Sequence, residues 1–184
     1  MTTLSDEALL ARLQDGDSGA LTTLYRRHQG RVYRFALAMS GETHTAEEVT
    51  QEVFLVLLQG GTGYRPESGS FLPYLMGMAR NHVLRALRRK RDWVELEEDH
   101  EPPSTESTLL RLTREETQET LYRAVLSLPP NYREAVVLCD LQEMDYAEAA
   151  QVLGVPIGMV RSRLSRARAL LAGKLRPDHL RMPS

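Results

Sequence analysis

The chain of 184 residues carries 23 basic and 25 acidic side chains and is 42% hydrophobic, a composition typical of one globular domain or of two small ones. Its N-terminus lacks the basic start and apolar run of a signal peptide, and no segment approaches the roughly 18 apolar residues of a membrane span, so we expect a cytoplasmic protein without membrane insertion. A single cysteine, Cys139, excludes an internal disulfide and a CxxC zinc pair, and the scattered histidines form no common metal-ligand spacing.

Apolar residues near the N-terminus recur at steps of three and four, which predicts helices rather than strands. The pattern runs through Leu9, Leu10 and Leu13 and resumes at Leu21 and Leu24. On both sides of an acidic segment at residues 92–106, apolar and polar residues do not alternate persistently as they would in strands. The sequence therefore predicts an all-α fold.

The segment 46–58, AEEVTQEVFLVLL, predicts an amphipathic helix. Val49, Val53 and Val56 form its apolar stripe, and Leu57 broadens that stripe. The residues away from the centre of the stripe are Glu48, Gln51, Glu52 and Leu55. This second face could dock a partner, but periodicity alone favours the simpler interpretation, a solvated helix side.

A loop rich in Gly, Pro and Ser, residues 60–70, precedes a helix that begins near Phe71. That helix carries Tyr74 and Asn81 and continues into residues 80–91, RNHVLRALRRKR, with six basic residues and no acid. A loop flanked by aromatic residues and followed by a cationic helix suits unstacked single-stranded bases. The simpler interpretation is a core position for both aromatic residues, because Phe and Tyr at helical spacing are more often core residues than stacking platforms.

The next segment has the opposite charge. Residues 92–106 contain seven acids and no base, and Pro102 and Pro103 lie among them. Such a composition buries too little apolar surface to order itself. The predicted organisation is two small helical domains, residues 1–91 and 113–176, joined by a flexible acidic linker, 92–112, with a tail at 177–184.

The C-terminal part predicts a helix-turn-helix. The pair Pro129 and Pro130 is typical of a helix start, and Asp145 and Glu148 have the D-x-x-E spacing of a capping box. Gly154 then supplies a turn position where a left-handed backbone is readily adopted. A second helix therefore ends near Gly154 and a third follows it.

The third helix lies in LGVPIGMVRSRLSRARALL, residues 153–171, which has four arginines and no acid. Its inward face is predicted to be Val160, Leu164, Ala167 and Leu171. This third helix of the C-terminal part is the second helix of the helix-turn-helix motif. In such motifs the second helix enters the major groove, where arginine can bind guanine and neutralise phosphates. The candidate DNA-contacting residues are Arg161, Ser162, Arg163, Ser165, Arg166 and Arg168. Arg161, Ser162 and Arg166 are the candidates for base contact, whereas Arg163 and Arg168 suit phosphate contact or packing.

Three ordered motifs now carry a family resemblance. AEEVTQEVF, GSFLPYLMGMARNHVLRALRRKR and LPPNYREAVVLCDLQEMDYAEAAQVLGVPIGMVRSRLSRAR resemble the extracytoplasmic-function (ECF) class of bacterial RNA polymerase sigma factors. The resemblance implies an N-terminal region-two domain, a linker and a C-terminal region-four domain, and no segment is long enough for region three.

The resemblance also implies partners and roles for residues. Core RNA polymerase would bind through its β′ clamp helices and β flap, with Glu48, Gln51, Glu52 and Leu55 as docking residues. The minus-ten promoter element would be opened by Ser68, Ser70, Phe71, Asn81, Arg85, Arg88 and Arg89, and the minus-thirty-five element read by the third C-terminal helix. Some positions depart from the family pattern, which commonly has Trp at Tyr74 and Asp at Arg85, and more usually has Asp at Glu48 and Leu at Val49.

We therefore expect a promoter-directing and promoter-melting factor that is not an enzyme and needs no cofactor, with an anti-sigma factor as a further partner. The alternative is a stand-alone helix-turn-helix regulator that binds DNA as a dimer. That alternative leaves the loop and basic helix of residues 60–91 unexplained. A redox role for Cys139 stays open, although its apolar surroundings in AVVLCDL favour burial.

Overall fold

The computed structural model describes residues 3–60, 63–96 and 116–176. Every regular element within these ranges is a helix, which confirms the predicted all-α class. The α-helices are α1 (Asp6–Gln14), α2 (Ser18–Ser40), α3 (Thr43–Leu58), α4 (Phe71–Leu96), α5 (Glu116–Leu126), α6 (Pro130–Val136), α7 (Tyr146–Leu153) and α8 (Ile157–Lys174). A short 3₁₀ turn at Pro66–Ser68 precedes α4, and a π-helical turn at Val137–Leu141 continues α6.

An N-terminal bundle is formed by α1 to α4, with α3 packed along α2 and α4 across both. Its first two helices begin at side-chain caps, since Ser5 accepts from the Ala8 amide and Asp17 from the Gly19 amide. The core contains Phe35, Leu57 and other fully buried apolar residues. Helical periodicity thus directs the apolar stripes inward, as predicted.

Helix α4 continues to Leu96 and so runs past residue 92, where the predicted linker begins. Propagating an existing helix costs little per residue, and neither Gly nor Pro occurs between Arg91 and Leu96. Trp93 in this extension is 67% exposed. The remainder of the predicted linker, 97–112, and the tail, 177–184, lie outside the described residues.

The C-terminal bundle consists of α5 to α8 and contains the predicted helix-turn-helix. Asp145 and Glu148 form a complete capping box at the start of α7. Gly154 ends α7 at φ 64°, in the left-handed region, so the predicted turn is confirmed. The two bundles also contact each other, because α4 packs on α7 and α2 packs on α5 and α6. Among the described helices, none combines the length and apolar character required to cross a membrane.

Candidate functional site

The first candidate surface is the outer face of α3. Val49, Val53 and Leu57 are buried, as the stripe predicted, whereas Val56 of the same stripe is only partly buried. On the other side Gln51 is exposed, Leu55 is 50% exposed, and Glu48 and Glu52 are partly exposed. The structure thus gathers two carboxylates, an amide and an exposed leucine on one accessible side of the bundle.

The carboxylates of α3 pair with bases of α4. Nδ1 of His82 lies 2.6 Å from Oε2 of Glu52, and Nη2 of Arg89 lies 3.4 Å from Oε1 of Glu48. Lys90 also pairs with Glu42 at the start of α3. Each of these pairs is partly exposed and contributes modestly to stability. Together they hold the acidic face of α3 against the basic helix.

The second candidate surface is a pocket beside the loop that precedes α4. Its cavity of about 360 Å³ is lined by Ser68, Ser70 and Asn81, among other residues. The Tyr64 hydroxyl donates to the Gly69 carbonyl at 3.0 Å and closes the loop on itself. Gly69 has φ 132°, a backbone conformation that side chains with a Cβ rarely adopt. The loop shape therefore depends on this glycine.

Phe71 lies beneath this pocket rather than in its wall. Its side chain is 1% exposed and makes edge-on contacts with the rings of Tyr64 and His28, at centroid distances of 5.7 and 5.9 Å. His28 in turn lies 2.7 Å from the Asp6 carboxylate. Phe71 is thus a core residue that supports the loop, and Ser68 and Ser70 are the exposed ones.

Beyond the pocket, α4 presents its basic residues to solvent. Arg85, Arg88 and Arg89 are all exposed, and Arg89 is the one paired with Glu48. Asn81 lies one turn earlier on the same helix and is also exposed. The pocket and the cationic surface therefore follow each other along α4, an arrangement suited to a base and the phosphates next to it.

The third candidate surface is α8. The predicted inward residues Val160, Leu164, Ala167 and Leu171 are all buried. The exposed side carries Arg161, Ser162, Ser165 and Arg166, and Arg163 is half-buried. The guanidinium of Arg161 lies 6.0 Å from the centroid of the Tyr146 ring, a cation–π contact to the preceding helix.

Arg168 differs from the other arginines of α8. Two of its nitrogens donate to Asp140, with Nη2 to Oδ1 at 2.6 Å and Nε to Oδ2 at 3.0 Å. These hydrogen bonds raise the pKa of Arg168 above its ordinary value. In this structure Arg168 joins α8 to the π-helical turn, which corresponds to the packing role that the sequence left open for it.

Comparison with known proteins identifies the family. Two family models match: sigma-70 region 2 over residues 24–93 and sigma-70 region 4 over residues 118–171. The ECF RNA polymerase sigma factor SigM of Mycobacterium tuberculosis is 33% identical, over 91% of this chain and 83% of its own length. The ECF RNA polymerase sigma-E factor of Escherichia coli is 30% identical, over 95% of this chain and 96% of its own.

The chain belongs to the ECF RNA polymerase sigma factors. The predicted family is thereby confirmed, and the alternative of a stand-alone dimeric regulator is not favoured. A further relative, SigE of Mycolicibacterium smegmatis, is 37% identical over 85% of this chain, which spans 63% of the length of that relative.

Solved structures share the fold of this sigma factor. CnrH, solved in complex with the cytosolic domain of CnrY, has 26% identity and a TM-score of 0.69 over 91% of this chain and 95% of its own. The sigma factor RpoE of Bartonella quintana, solved with the anti-sigma factor NepR, has 21% identity and a TM-score of 0.69 over 85% of this chain and 97% of its own. The second likeness concerns the fold alone.

Sequence analysis did not identify several residues that belong to these surfaces. It singles out no role for His82, yet the ring of His82 pairs with the Glu52 carboxylate. Gln151 of α7 lines the pocket beside Asn81, although the two are far apart in the chain. The spacing of acids on α3 and bases on α4 is compatible with the contact between His82 and Glu52. No sequence signal, however, indicates that α7 lies beside the loop that precedes α4.

Cys139 lies in the π-helical turn and is half-buried. Burial, together with the neighbouring Asp140 carboxylate, raises the pKa of Cys139 to about 11. The thiolate is the reactive form of cysteine, so this environment opposes oxidation near neutral pH. The favoured prediction, burial, is met in part, because the side chain is half-buried.

Proposed function

We propose that this sigma factor docks on core RNA polymerase, directs it to promoters and nucleates melting of the promoter DNA. Docking on the β′ clamp helices would use the outer face of α3, through Glu48, Gln51, Glu52 and Leu55, and region four would contact the β flap. The partial exposure of both carboxylates and the exposed Leu55 support this role. The bounds proposed for the two domains remain 1–91 and 113–176.

Melting is assigned to the pocket and to the basic surface that follows it. Ser68, Ser70 and Asn81 would hold a base flipped from the minus-ten element, while Phe71 supports the loop from below. The phosphates of the melted strand would be neutralised by Arg85, Arg88 and Arg89. The observation that carries the proposal is this sequence of features along α4, a recess of about 360 Å³ followed at once by exposed cations.

Recognition of the minus-thirty-five element is assigned to α8. Arg161, Ser162 and Arg166 would contact base edges in the major groove, with Ser165 and Arg163 beside them. Arg168 would act chiefly by orienting α8 through Asp140, and its exposed edge is available to a phosphate. The proposed activity consists of binding and strand separation, without a cofactor or a catalytic residue.

An anti-sigma factor is proposed as a further partner. Support comes from CnrH, which was solved with the cytosolic domain of CnrY, and from RpoE, solved with the anti-sigma factor NepR. Both align with most of this chain. The proposal extends to the class of partner and to no particular type.

Transcription in vitro from a random promoter library tests the proposed function. Purified core polymerase is assayed with and without the full chain. We expect transcripts that appear only with the chain, from start sites that share two upstream sequence elements. Selective binding of a palindromic DNA site without polymerase, together with no transcription, would overturn the proposal.

A further inference from the structure

A ring contact links the two helices of the helix-turn-helix. Tyr146 is the first residue of α7, where the capping box of Asp145 and Glu148 fixes the start of the helix. Its side chain is half-buried and packs against the core of its bundle. The guanidinium carbon of Arg161 lies 6.0 Å from the centroid of the Tyr146 ring. The ring quadrupole attracts a cation in this position, so the contact restrains an arginine that is otherwise exposed.

The hydroxyl end of the same tyrosine is held by Arg168. Hydrogen bonds to the Asp140 carboxylate and to the Tyr146 side chain raise the pKa of Arg168. Because a guanidinium only donates hydrogen bonds, the phenolic oxygen of Tyr146 is the acceptor. The two bonds from Arg168 to Asp140, at 2.6 and 3.0 Å, fix the plane of the guanidinium. The ring of Tyr146 therefore cannot turn away from Arg161 without losing its own hydrogen bond.

An irregular stretch of backbone places Asp140. This residue lies in the π-helical turn, Val137–Leu141. Glu143 follows with φ 55°, in the left-handed region that residues other than Gly and Asn seldom adopt. Single π-helical turns and strained residues of this kind occur often at functional sites. Here the turn directs the Asp140 carboxylate at α8, where it meets Arg168.

Arg166, the other arginine assigned to base contact, lacks this support. It is exposed on the same helix as Arg161. Within the described part of the chain, no hydrogen bond, ion pair or ring contact engages its guanidinium. A side chain that is restrained before binding loses less rotamer freedom when it reaches its target. The structure thus prepares Arg161, but not Arg166, for a contact of defined geometry.

We propose that Tyr146 is a positioning residue for promoter recognition, because it holds Arg161 in the orientation that donates two hydrogen bonds to one guanine of the minus-thirty-five element. Asp140 and Arg168 act through Tyr146, whose hydroxyl they hold. The restraint confers selectivity, since a freely rotating arginine also reaches backbone phosphates, which carry no sequence information. This role depends on the proposed function, which assigns α8 to the minus-thirty-five element.

A double-mutant cycle on the holoenzyme tests this role. Tyr146→Leu, Arg161→Ala and the double variant, each as the full chain with core polymerase, are bound to a promoter selected from the random library. They are also bound to copies of that promoter in which one guanine of the minus-thirty-five element is replaced. The measured quantity is discrimination, the ratio of the two dissociation constants. We expect Tyr146→Leu to lower discrimination about fivefold at the guanine that Arg161→Ala also affects. In the Arg161→Ala background, Tyr146→Leu should lower it no further.

Arg166→Ala is the matched control, because it removes an exposed arginine of the same helix that has no ring contact. In the Arg166→Ala background, Tyr146→Leu should keep its full effect at the guanine read by Arg161. Tyr146→Phe keeps the ring and removes the hydroxyl. We expect it to lower discrimination at the same guanine by about twofold, since only the hydrogen bond to Arg168 is lost.

The ring contact is also measured on the free parent chain, so the test does not depend on the folding of Tyr146→Leu. NMR relaxation of the arginine Nε–H groups reports side-chain order, and we expect Arg161 to be more ordered than Arg166. Equal disorder of the two side chains would overturn the role of Tyr146.

The binding data separate the remaining outcomes. If Tyr146→Leu weakened binding equally for all sequences, the residue would act on the DNA backbone or on general stability, and its positioning role would be overturned. A loss of discrimination with Arg161→Ala but not with Tyr146→Leu would overturn that role alone. Unchanged discrimination with Arg161→Ala would overturn the proposed function of Arg161 together with the role of Tyr146.

Discussion

Nδ1 of His82 lies 2.6 Å from Oε2 of Glu52, so the basic helix α4 holds the central carboxylate of the proposed docking face on α3. His82 is the last of three consecutive residues with three different surroundings. Arg80 pairs with Glu134 in the C-terminal bundle, and Asn81 lines the pocket. Successive residues of a helix point about 100° apart, which allows one turn to serve three surfaces. Contact with the other bundle and the proposed contacts with DNA and with polymerase are thereby concentrated in one turn of α4.

Replacement of Glu52 is expected to weaken binding to core polymerase. Glu52→Gln removes one of the two carboxylate charges of the docking face and should cost about 0.5 to 1.5 kcal/mol of binding free energy. His82→Ala leaves the carboxylate but frees its position, so we expect a smaller loss of about 0.5 kcal/mol. Fluorescence anisotropy of labelled chain titrated with core polymerase measures both. Equal affinity of Glu52→Gln and the parent chain would refute the docking assignment.

Replacement of an exposed arginine on α8 is expected to weaken DNA recognition rather than binding to core polymerase. Arg161→Ala or Arg166→Ala should weaken recognition of the minus-thirty-five element by roughly 1 to 3 kcal/mol for each lost base contact and leave core binding intact. Holoenzyme binding to a promoter selected from the random library gives the measurement. Arg123→Ala, an exposed arginine on α5, serves as the control. Loss of core binding with unaltered DNA recognition would show that the surfaces are wrongly assigned.

The capping box of α7 is expected to stabilise the helix-turn-helix. The Asp145 carboxylate accepts from the Glu148 amide at 2.8 Å, so Asp145→Ala should lower the free energy of unfolding by about 1 kcal/mol. Asp145→Asn keeps an acceptor of the same size and should retain most of the stability. Urea denaturation of the full chain compares the three proteins. An equal loss in both variants would mean that the effect arises from charge rather than from capping.

Cys139 is expected to react slowly with alkylating reagents. Its pKa is raised to about 11, chiefly by burial, so the neutral thiol predominates at neutral pH. An ordinary thiol has a pKa of about 8.5, and the thiolate fraction at neutral pH should therefore be about 300-fold lower here. The alkylation rate should rise with pH until the pH approaches the raised pKa of Cys139. Iodoacetamide labelling across a pH series measures this, with the denatured chain as the fast control; equal rates at neutral pH would contradict the prediction.

Local features were readable from the sequence because each depends on neighbours along the chain. The inward faces of α3 and α8, the cap at Asp145 and the turn at Gly154 all follow from helical spacing and from side chains within a few residues. Helix α4 runs past residue 92, where the predicted linker begins, since acidic composition marks poor core formation but does not stop a helix already under way. The family itself was also recognisable from three ordered motifs.

Tertiary structure decided which of those features meet. Arg80 and Glu134 are 54 positions apart, and Gly69 and Gln151 are farther still, so no local pattern indicates that they touch. Their contact depends on how the α4 and α7 surfaces fit, which is a property of whole side-chain assemblies. Arg168 and Phe71 show the same division. The charge of Arg168 suggested a DNA contact, but in the structure it pairs with Asp140. The aromatic ring of Phe71 also suggested a DNA contact, but packing buries it. The sequence alone determined the helices, the motifs and the family, and long-range packing determined which charges are paired and which remain available to a partner.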